Sequence, residues 1–244
     1  MSRRSGATPL RRSVLAATLA VAVAALAGCS ETTAPGDARQ LDFDFRTDPS
    51  GWEADFTDFP EGRGEDVGFE AGVRELPDPL EGSSLFHLGT NISDDLFMYF
   101  KRRVDGLEPG ARYRASFEVR FASDAGEDCD VGKAPNVVVK AGAAETEPTR
   151  VVDEDGNVRL SVDKGSQTNS GENALVLGDM RNGEPGCGPE VPVAEETVAA
   201  DGTITVSADD AGRLWLLFGS ESAFEAAHVL HFTRLEVTLE RIGG

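Results

Sequence analysis

The sequence predicts an all-β protein built as a two-sheet antiparallel β-sandwich. The first observation is the segment 112–121, in which Tyr, Ala, Phe, Val and Phe alternate strictly with Arg, Arg, Ser, Glu and Arg. The second is a series of about a dozen short β-type segments separated by turn residues. The third is the lack of a convincing helical period longer than two turns. Because neighbouring side chains on a strand point to opposite sides, each alternating strand has an apolar face that a second layer must cover.

Turn residues set the order of the predicted strands. Asp-Pro-Ser-Gly at 48–51 ends the first strand, and a looser segment with three aromatic residues follows at 52–60. Leu-Glu-Pro-Gly at 107–110 is a tight turn that leads into segment 112–121. Asp-Glu-Asp-Gly at 153–156 joins a hairpin, because alternation continues on both sides of it. The predicted strands are 41–46, 67–76, 84–88, 96–102, 112–121, 136–140, 149–152, 157–162, 174–177, 203–206, 214–218 and 230–239.

Two of these strands have distinctive patterns. Segment 214–218, Leu-Trp-Leu-Leu-Phe, is apolar on both faces, which predicts a central strand with Trp215 buried. In the last strand the alternation is interrupted near Thr233, which predicts a bulge. With no repeat and no second domain in evidence, residues 41–244 suit one β-sandwich domain.

The first 28 residues have the composition of an export signal. Four arginines precede an apolar run from 14 to 27, and no acidic residue interrupts either part. The run is short and rich in alanine, which does not suit a membrane span. It ends in Leu-Ala-Gly-Cys at 26–29, which resembles the lipobox of bacterial lipoproteins. The resemblance implies cleavage before Cys29 and lipidation of that cysteine; an ordinary secretory signal followed by a chance cysteine is the alternative.

A lipidated Cys29 would place the protein on a membrane of the bacterial cell envelope. Each buried acyl methylene contributes about 0.8 kcal/mol, so several chains hold a protein far more firmly than one. Residues 29–40 have no apolar periodicity and are predicted to form a flexible tether between the lipid and the domain. We therefore expect an exported protein that is anchored to a membrane and does not span it. The sequence leaves open which membrane receives the anchor.

Net charge restricts the partners. The full sequence has a formal net charge of −20, and removal of four arginines with the signal leaves 19 basic against 43 acidic residues, or −24. A nucleic acid or an anionic lipid surface repels such a body, so we expect no nucleic-acid partner. Cations and basic partners remain open, and so does the simpler interpretation that the acidity confers solubility.

Three features stand in a characteristic order along the chain: Gly-Trp near the start, the turn formed by Leu107, Pro109, Gly110 and Tyr113, and the closing Leu-Glu-Val-Thr-Leu. This order resembles jelly-roll modules of the galactose-binding and carbohydrate-binding type. It implies an exported, jelly-roll-like β-domain. Four further segments resemble parts of exported bacterial proteins with no assigned activity, and they supply no chemistry: 91–99, 139–142, 147–148 and 163–167.

Cys129 and Cys187 are predicted to form a disulfide. They lie 58 positions apart in polar, Gly- and Asp-rich segments of a chain expected to enter an oxidising compartment. Neither belongs to a Cys-x-x-Cys motif and no histidine lies near them, which argues against metal or redox roles. A loop of this length closed by a disulfide stabilises a fold by about 4 kcal/mol in the chain-entropy model.

Two loops carry the candidate ligand-binding residues. The first places Asn91, Ser93, Asp94 and Asp95 between two strands, and such oxygen-rich loops suit Ca²⁺, with Asp94 and Asp95 as the metal ligands. The alternative is a turn stabilised by these side chains, because the spacing matches no complete calcium loop.

The second candidate loop contains Asp163, Lys164 and Gln167, which we predict to form a polar cluster with Glu145 and Glu147. Lys164 could orient an acidic ligand, or act as a base if desolvated. The alternative is a solvated surface pair of aspartate and lysine.

Catalytic motifs are scarce. Lys-Ala-Gly at 140–142 resembles a strand motif of jelly-roll polysaccharide lyases, but the tyrosine that should follow is absent and no Gln-x-His occurs. His228 and His231 are three apart on a predicted strand, so they should face opposite ways and not share a metal. Trp52 and Tyr99 are the remaining candidates for a sugar-stacking platform, with core packing as the alternative.

From these residues we predict a membrane-anchored, non-catalytic β-sandwich that binds a glycan or extracellular partner through the two loops, with Ca²⁺ as a candidate cofactor. A carbohydrate-active enzyme of the lyase type and a purely structural envelope protein are the alternatives. The binding hypothesis requires that residues 91–95 and 163–167 converge in space.

Overall fold

The computed structural model describes residues 38–243. The predicted signal peptide, Cys29 and most of the predicted tether lie outside that range. In the part that it describes, no helix is long and apolar enough to cross a membrane. Strand β1 begins at Ala38, three residues before Leu41, where we predicted the domain to start.

The described chain forms short strands joined by turns, together with two 3-10 helices, Gly64–Val67 and Ala134–Asn136. The strands are β1 Ala38–Asp44, β2 Glu53–Thr57, β3 Phe59–Pro60, β4 Glu70–Glu75, β5 Ser83–Thr90, β6 Leu96–Val104, β7 Arg112–Ser123, β8 Val137–Ala144, β9 Arg150–Val152, β10 Asn157–Leu160, β11 Ala174–Asp179, β12 Ala194–Ala199, β13 Ile204–Ser207, β14 Leu214–Ser222 and β15 Ala227–Ile242.

The strands pair antiparallel in two large sheets and one small one. Sheet 1 has the order β12-β7-β15-β5-β4, with β1 also paired to β15 and β13 to β7. Sheet 2 has the order β11-β8-β14-β6-β2. Strands β3, β10 and β9 form a small third sheet, which we call the cover sheet. Apolar side chains of sheets 1 and 2 pack together in one large core, which confirms the predicted two-sheet β-sandwich.

Strand β7 has the burial pattern that its sequence predicts. Its apolar positions are all buried, at Tyr113, Ala115, Phe117, Val119 and Phe121. Full burial of a large apolar side chain contributes about 1.5–3 kcal/mol, so this row is a major source of stability. The preceding turn is fixed because the hydroxyl of Tyr113 accepts a hydrogen bond of 3.0 Å from the N–H of Glu108.

Strand β14 is central in sheet 2, as predicted, and pairs with both β6 and β8. In the core the ring of Phe218 stacks on Phe45 with centroids 5.3 Å apart and meets Phe232 edge-on at 5.0 Å. The prediction that Trp215 is buried was wrong: it is partly exposed. It lies on the face of β14 opposite Leu214 and Leu216, so it points away from the core.

Several strands differ from the prediction. The segment 52–60, which we predicted to be a looser segment, contains β2 and β3. The segment predicted as strand 67–76 begins with the 3-10 helix Gly64–Val67, and β4 starts only at Glu70, after Gly68 has ended the helix with a φ of 60°. Strand β12 was missed because it is a half-exposed edge strand without clean alternation. It pairs with β7 and completes sheet 1.

The predicted bulge in the last strand is confirmed, since the register of β15 against β7 shifts between Phe232 and Arg234. Thr233, at the bulge, donates its hydroxyl hydrogen to Glu195 at 2.6 Å. The predicted disulfide is also confirmed: Cys129 and Cys187 are bonded, with Cα atoms 4.9 Å apart.

The histidines of β15 face opposite ways, as predicted. His228 points toward sheet 2, where its Nε2 lies 2.9 Å from the hydroxyl of Ser220. His231 lies 3.1 Å from the hydroxyl of Ser84 and packs on the ring of Phe86. Both rings are buried. The two histidines are therefore packing residues on opposite faces of sheet 1.

Candidate functional site

The two predicted loops meet at one end of sheet 2. The side-chain amide of Gln167 donates a hydrogen bond of 3.0 Å to the carbonyl of Asp94. The backbone N–H of Gln167 donates to the carboxylate of Glu221 at 2.7 Å, which ties the second loop to β14. The structure therefore brings residues 91–95 and 163–167 together, the arrangement that the binding hypothesis requires.

The first loop is a turn built by its own side chains. The side-chain oxygen of Asn91 accepts hydrogen bonds from the N–H groups of Ser93 and Asp95, at 3.1 and 3.3 Å. The amide of Asn91 donates to the carbonyl of Ser222 at 2.7 Å, which fastens the turn to the end of β14. This is the alternative that the sequence left open. Asp94 is exposed at the tip of the turn.

The second loop is closed in the same way. The carboxylate of Asp163 accepts hydrogen bonds from the N–H groups of Glu172 and Gly165, and these bonds hold the pKa of Asp163 below its ordinary value. Gly165 has a φ of +75°, and a Cβ there would lie 2.1 Å from the carbonyl oxygen of Asn169. Only glycine fits this position, so the loop conformation depends on it.

Backbone strain is concentrated at the junction of the loops. Within residues 38–243 the non-glycine residues with a left-handed φ are Asp58, Asp94 and Gln167, at 68°, 63° and 47°. Such conformations are uncommon outside glycine and tend to accumulate at functional sites. Asp94 and Gln167 form the contact between the two loops. Asp58 belongs to the group of charged side chains that lies beneath them.

Beneath the loops lies a group of ionised side chains that we call the charge cluster: Asp58, Asp95, Lys140, Arg159, Lys164 and Glu221. Its interior is the chain Lys140–Glu221–Lys164. The carboxylate of Glu221 lies 2.5 Å from the Nζ of Lys140 through one oxygen and 2.7 Å from the Nζ of Lys164 through the other. Lys140 and Glu221 are fully buried, and Lys164 and Asp58 nearly so.

Arg159 links the interior of the cluster to solvent. Its Nη1 donates to the carboxylates of Asp58 and Asp95, both at 2.8 Å, and its Nε donates to Asp153 at 3.1 Å. The side chain is 38% exposed. One guanidinium therefore holds three carboxylates from three separate segments at the mouth of the site.

Burial and neighbouring charges shift the protonation equilibria in the cluster. Burial, assisted by contact with the Glu221 carboxyl, raises the pKa of Asp95. Burial lowers the pKa of Lys140, although Glu221 opposes it. Burial also acts to lower the pKa of Lys164, but the carboxylates of Glu221 and Asp58 outweigh it and raise the pKa. The two lysines differ because Lys164 has an additional carboxylate partner, Asp58, at 3.3 Å.

A pocket of about 360 Å³ opens above the cluster, and we call it the site pocket. Charged groups form most of its wall, while Leu160 and Val162 supply an apolar strip. Its complete lining is Asp58, Asp95, Arg159, Leu160, Val162, Asp163, Lys164, Gly165 and Ser166. Lys164, Asp163 and Asp95 were predicted from the sequence; the others were not assigned to a site.

Sequence reasoning missed Asp58, Lys140, Arg159 and Glu221 as parts of a site. Glu221 offered a signal: on β14 it continues the row of Trp215, Leu217 and Gly219, where an apolar residue is expected. Lys140 likewise interrupts a run of valine and alanine on β8. Asp58 and Arg159 stand in segments with no such contrast.

The predicted contribution of Glu145 and Glu147 to this cluster was wrong. Glu147 instead pairs with Lys101 at 2.6 Å, on another part of the outer face of sheet 2. Glu145 is exposed and makes no ion pair among the described residues. The turn that follows β8 therefore places Glu147 beside Lys101 and not in the charge cluster.

Part of the outer face of sheet 2 is covered, which bears on the lyase alternative. Phe97, Tyr99 and Leu217 of that face pack against Leu160 of β10 and Val162 of the loop after it. Tyr99 is fully buried, so it provides no sugar-stacking platform. Lys140, which carries the lyase-like motif, is also enclosed.

Trp52, the other platform candidate, packs edge-on against three rings of the core and is only partly exposed. The ring centroids lie 5.2 Å from Phe43, 5.8 Å from Phe45 and 4.9 Å from Phe218. The core-packing alternative therefore describes both Trp52 and Tyr99.

The calcium hypothesis does not fit the residues present. Among residues 38–243 no group of three or more His, Cys, Asp or Glu side chains is placed to hold a metal ion. Asp95 is already paired with Arg159, and the side-chain oxygen of Asn91 already accepts a hydrogen bond within the turn. A cation would have to compete with a guanidinium for the same oxygen.

A larger cleft of about 750 Å³ lies on the other side of the β2–β3 segment, with Phe56 and Phe69 in its wall. The guanidinium of Arg150 covers Phe56, 4.2 Å from the ring centre, and is itself paired with Asp55. The ring of Phe56 in this cleft is thus already covered by the protein's own side chain.

No protein-family model and no curated protein matches the chain. Among solved structures, it is similar to a putative sugar-binding protein from Bacteroides thetaiotaomicron VPI-5482, at 11% identity and a TM-score of 0.38, over 78% of this chain and 88% of that one. It is also similar to the CBM22-1 xylan-binding domain of Xyn10C from Paenibacillus barcinonensis, at 13% identity and a TM-score of 0.36, over 83% of this chain and 95% of that one.

A third similarity is to the enzymatically active domain of tailspike protein 4 from bacteriophage CBA120, at 13% identity and a TM-score of 0.30. It covers 80% of this chain, which spans only 20% of the tailspike chain. With TM-scores this low, the functional argument rests on the site itself.

Proposed function

We propose that the chain is an exported lipoprotein, anchored through Cys29, whose β-sandwich binds a neutral glycan in the site pocket without catalysing a reaction. The observation that carries the proposal is the convergence of residues 91–95 and 163–167 on one pocket. The left-handed backbone of Asp94 and Gln167 at that junction supports it further, because the fold maintains costly conformations there.

The pocket has the chemical groups that recognise a sugar. A sugar hydroxyl both donates and accepts hydrogen bonds, so it needs acceptors and donors side by side. Asp58, Asp95 and Asp163 supply carboxylate acceptors, while Arg159 and Lys164 supply donors. Leu160 and Val162 provide a strip for the apolar face of the ring, in keeping with binding sites that combine apolar surface with a few oriented polar groups.

Charge favours a neutral glycan over an acidic one. The expected mature chain has a net charge of −24, which repels polyanions at long range. At short range the cations of the cluster are already paired with carboxylates, so none is left to neutralise a ligand carboxylate. We therefore expect hydroxyl recognition and no preference for uronic acids or sulfated sugars.

The test uses a blocking variant and a matched control. Ser166 is exposed and lines the pocket, so Ser166→Trp should fill it without disturbing the core. Thr168 is exposed on the same loop but does not line the pocket, which makes Thr168→Trp the control. The measurement is affinity electrophoresis in gels containing hydroxyethylcellulose, arabinoxylan, galactomannan or laminarin, with alginate as the acidic comparison.

We expect at least one neutral polysaccharide to retard the wild type and Thr168→Trp but not Ser166→Trp. Equal retardation of both variants would place binding elsewhere, and no retardation of the wild type would refute the proposal. Reducing ends or unsaturated products released during incubation would indicate an enzyme instead. For the anchor, replacement Cys29→Ser should move the protein from the membrane fraction to the soluble fraction; an unchanged distribution would refute lipidation.

A further inference from the structure

A pocket of about 390 Å³ is formed by the loop that follows β7 and the loop that follows β11. We call it the disulfide pocket, because Cys129 and Cys187 form part of its wall. The apolar residues of its wall are Ala125, Val131, Ala134 and Pro189. It shares no lining residue with the site pocket, so the proposed glycan site does not account for it.

Contacts between the two loops fix the walls of the disulfide pocket. Besides the disulfide, the N–H of Glu127 donates a hydrogen bond of 2.7 Å to the carbonyl of Glu184. The N–H of Gly186 donates another, also of 2.7 Å, to the carboxylate of Asp128. The backbones approach so closely that a Cβ on Gly126 would lie 2.2 Å from the carbonyl oxygen of Gly186. Because the pocket is preformed, a ligand loses little affinity to ordering of the loops.

Val131 stands at the pocket and is 81% exposed, the highest value among the large hydrophobic residues of the described chain. A single exposed valine is ordinary on a protein surface. Here it adjoins an apolar cavity, so an apolar side chain that entered the cavity would be removed from water together with Val131. This is the arrangement of an anchor site, in which one side chain of a partner fills a pocket.

Carboxylates lie in both loops that form the disulfide pocket. Segments 124–130 and 184–190 contain four and two acidic residues and no lysine or arginine. Lys133, the cation of the pocket wall, is 3.7 Å from Asp124, and Arg181 is 3.8 Å from Glu127. The other four form no ion pair within residues 38–243: Asp128, Asp130, Glu184 and Glu190. The two loops therefore combine an apolar pocket with an excess of negative charge.

We propose that the disulfide pocket docks a basic segment of another protein, with one apolar side chain in the pocket and flanking lysine or arginine side chains on the carboxylates of both loops. The wall is mainly apolar and the unpaired carboxylates lie in the segments beside it, so the complementary ligand has its apolar group in the middle and cations on either side. A polypeptide supplies this order of groups. A second copy of this chain, with the same net charge of −20, is repelled at long range.

The first measurement separates the anchor from general attraction to an acidic protein. Rhodamine-labelled peptides Lys-Arg-Leu-Arg-Lys, Lys-Arg-Gly-Arg-Lys and Glu-Asp-Leu-Asp-Glu are titrated with the full chain, its disulfide oxidised, and followed by fluorescence anisotropy at low salt. We expect the basic leucine peptide to bind about tenfold more tightly than the glycine peptide, because only leucine buries apolar surface, and the acidic peptide not to bind. Equal binding of the two basic peptides would overturn the anchor, and no binding of either would overturn the proposal.

The second measurement places the binding on the protein. Val131→Arg puts a cation at the pocket, and Val73→Arg is the matched control, since Val73 is a 57% exposed valine on β4. Both variants add one positive charge, so their effects on long-range attraction are alike. We expect Val131→Arg to weaken binding of the leucine peptide by about tenfold or more and Val73→Arg by less than about twofold. Equal effects would overturn the placement.

The third measurement tests the carboxylates. Asp130→Asn combined with Glu190→Gln removes two charges from the loops, and Glu61→Gln combined with Glu81→Gln removes two exposed charges that do not line the pocket. We expect the first pair to weaken binding by about fivefold and the second by less than about twofold, with a smaller difference at high salt. Equal losses would reduce the attraction to net charge and overturn the proposed contacts. In sedimentation equilibrium, a dimer that Val131→Arg abolishes would identify a second copy as the occupant and overturn the proposal.

Discussion

Replacement of Lys140 by methionine tests whether the buried charge cluster holds the site together. The ammonium group of Lys140 lies 2.5 Å from Glu221 and donates to two backbone carbonyls, of Lys164 and Asn169, at 3.0 Å each. Methionine has a similar volume but leaves both carbonyls unpaired and Glu221 with one fewer counter-charge. Removal of one partner from a buried ion pair typically costs about 3–5 kcal/mol of unfolding free energy.

The assay is urea-induced unfolding at pH 7, followed by tryptophan fluorescence with the disulfide intact. Lys140→Met should lower the unfolding free energy by about 3–5 kcal/mol with an unchanged dependence on urea. The control Arg213→Met breaks the exposed pair of Arg213 with Asp209, 2.8 Å apart. It should change the unfolding free energy by less than about 1 kcal/mol.

A double variant separates charge from packing. Lys140→Met combined with Glu221→Leu removes both charges, so neither leaves the other as an uncompensated buried ion. The double variant should therefore lose less unfolding free energy than the two single variants lose in sum. A loss below about 1 kcal/mol for Lys140→Met alone would refute the reasoning, because the cluster would then contribute no more than a surface pair.

Three further predictions concern the fold. Reduction of the disulfide, or replacement of Cys129 and Cys187 by serine, should lower the unfolding free energy by about 4 kcal/mol; an unchanged urea midpoint would contradict it. Burial lowers the pKa of His228 from 6.5 to about 4 in the folded state. Between these two pH values the histidine is protonated in the unfolded state but not in the folded one. The unfolding free energy should therefore fall by about 3 kcal/mol as the pH drops from 6.5 to 4. His228→Asn should lose this part of the pH dependence, and an unaltered slope would argue against it. Gly165→Ala should destabilise far more than Gly156→Ala in thermal melts, because both have positive φ but only the first meets backbone atoms; equal losses would refute the close packing.

The sandwich could be predicted because its central strands bury alternate residues. Strand β7 alternates over its apolar row from Tyr113 to Phe121, and β14 is apolar on both faces, as a strand covered on both sides must be. Strand β12 escaped prediction for the opposite reason. It lies at an edge, is half exposed on both faces, and therefore has no periodic signal.

Only the two loops at the outside of the site could be predicted from the sequence. Asn, Ser, Asp and Gln form turns by local hydrogen bonds, so their clusters marked both loops in the sequence. The interior could not be found in this way, because Lys140 and Glu221 come from strands 81 positions apart and meet through sheet pairing. Glu147 was assigned to the cluster wrongly, because the sequence does not show where the turn after β8 directs its side chain.

The most direct test of the central claim is a map of the glycan on the protein. Amide chemical shifts of the protein are recorded by NMR while an oligosaccharide from the polysaccharide that binds is added. The account predicts that the largest changes occur at Asp95, Lys164, Ser166 and Gln167, around the site pocket. Changes centred on Trp215 and the exposed part of sheet 2, with the pocket unaffected, would contradict it.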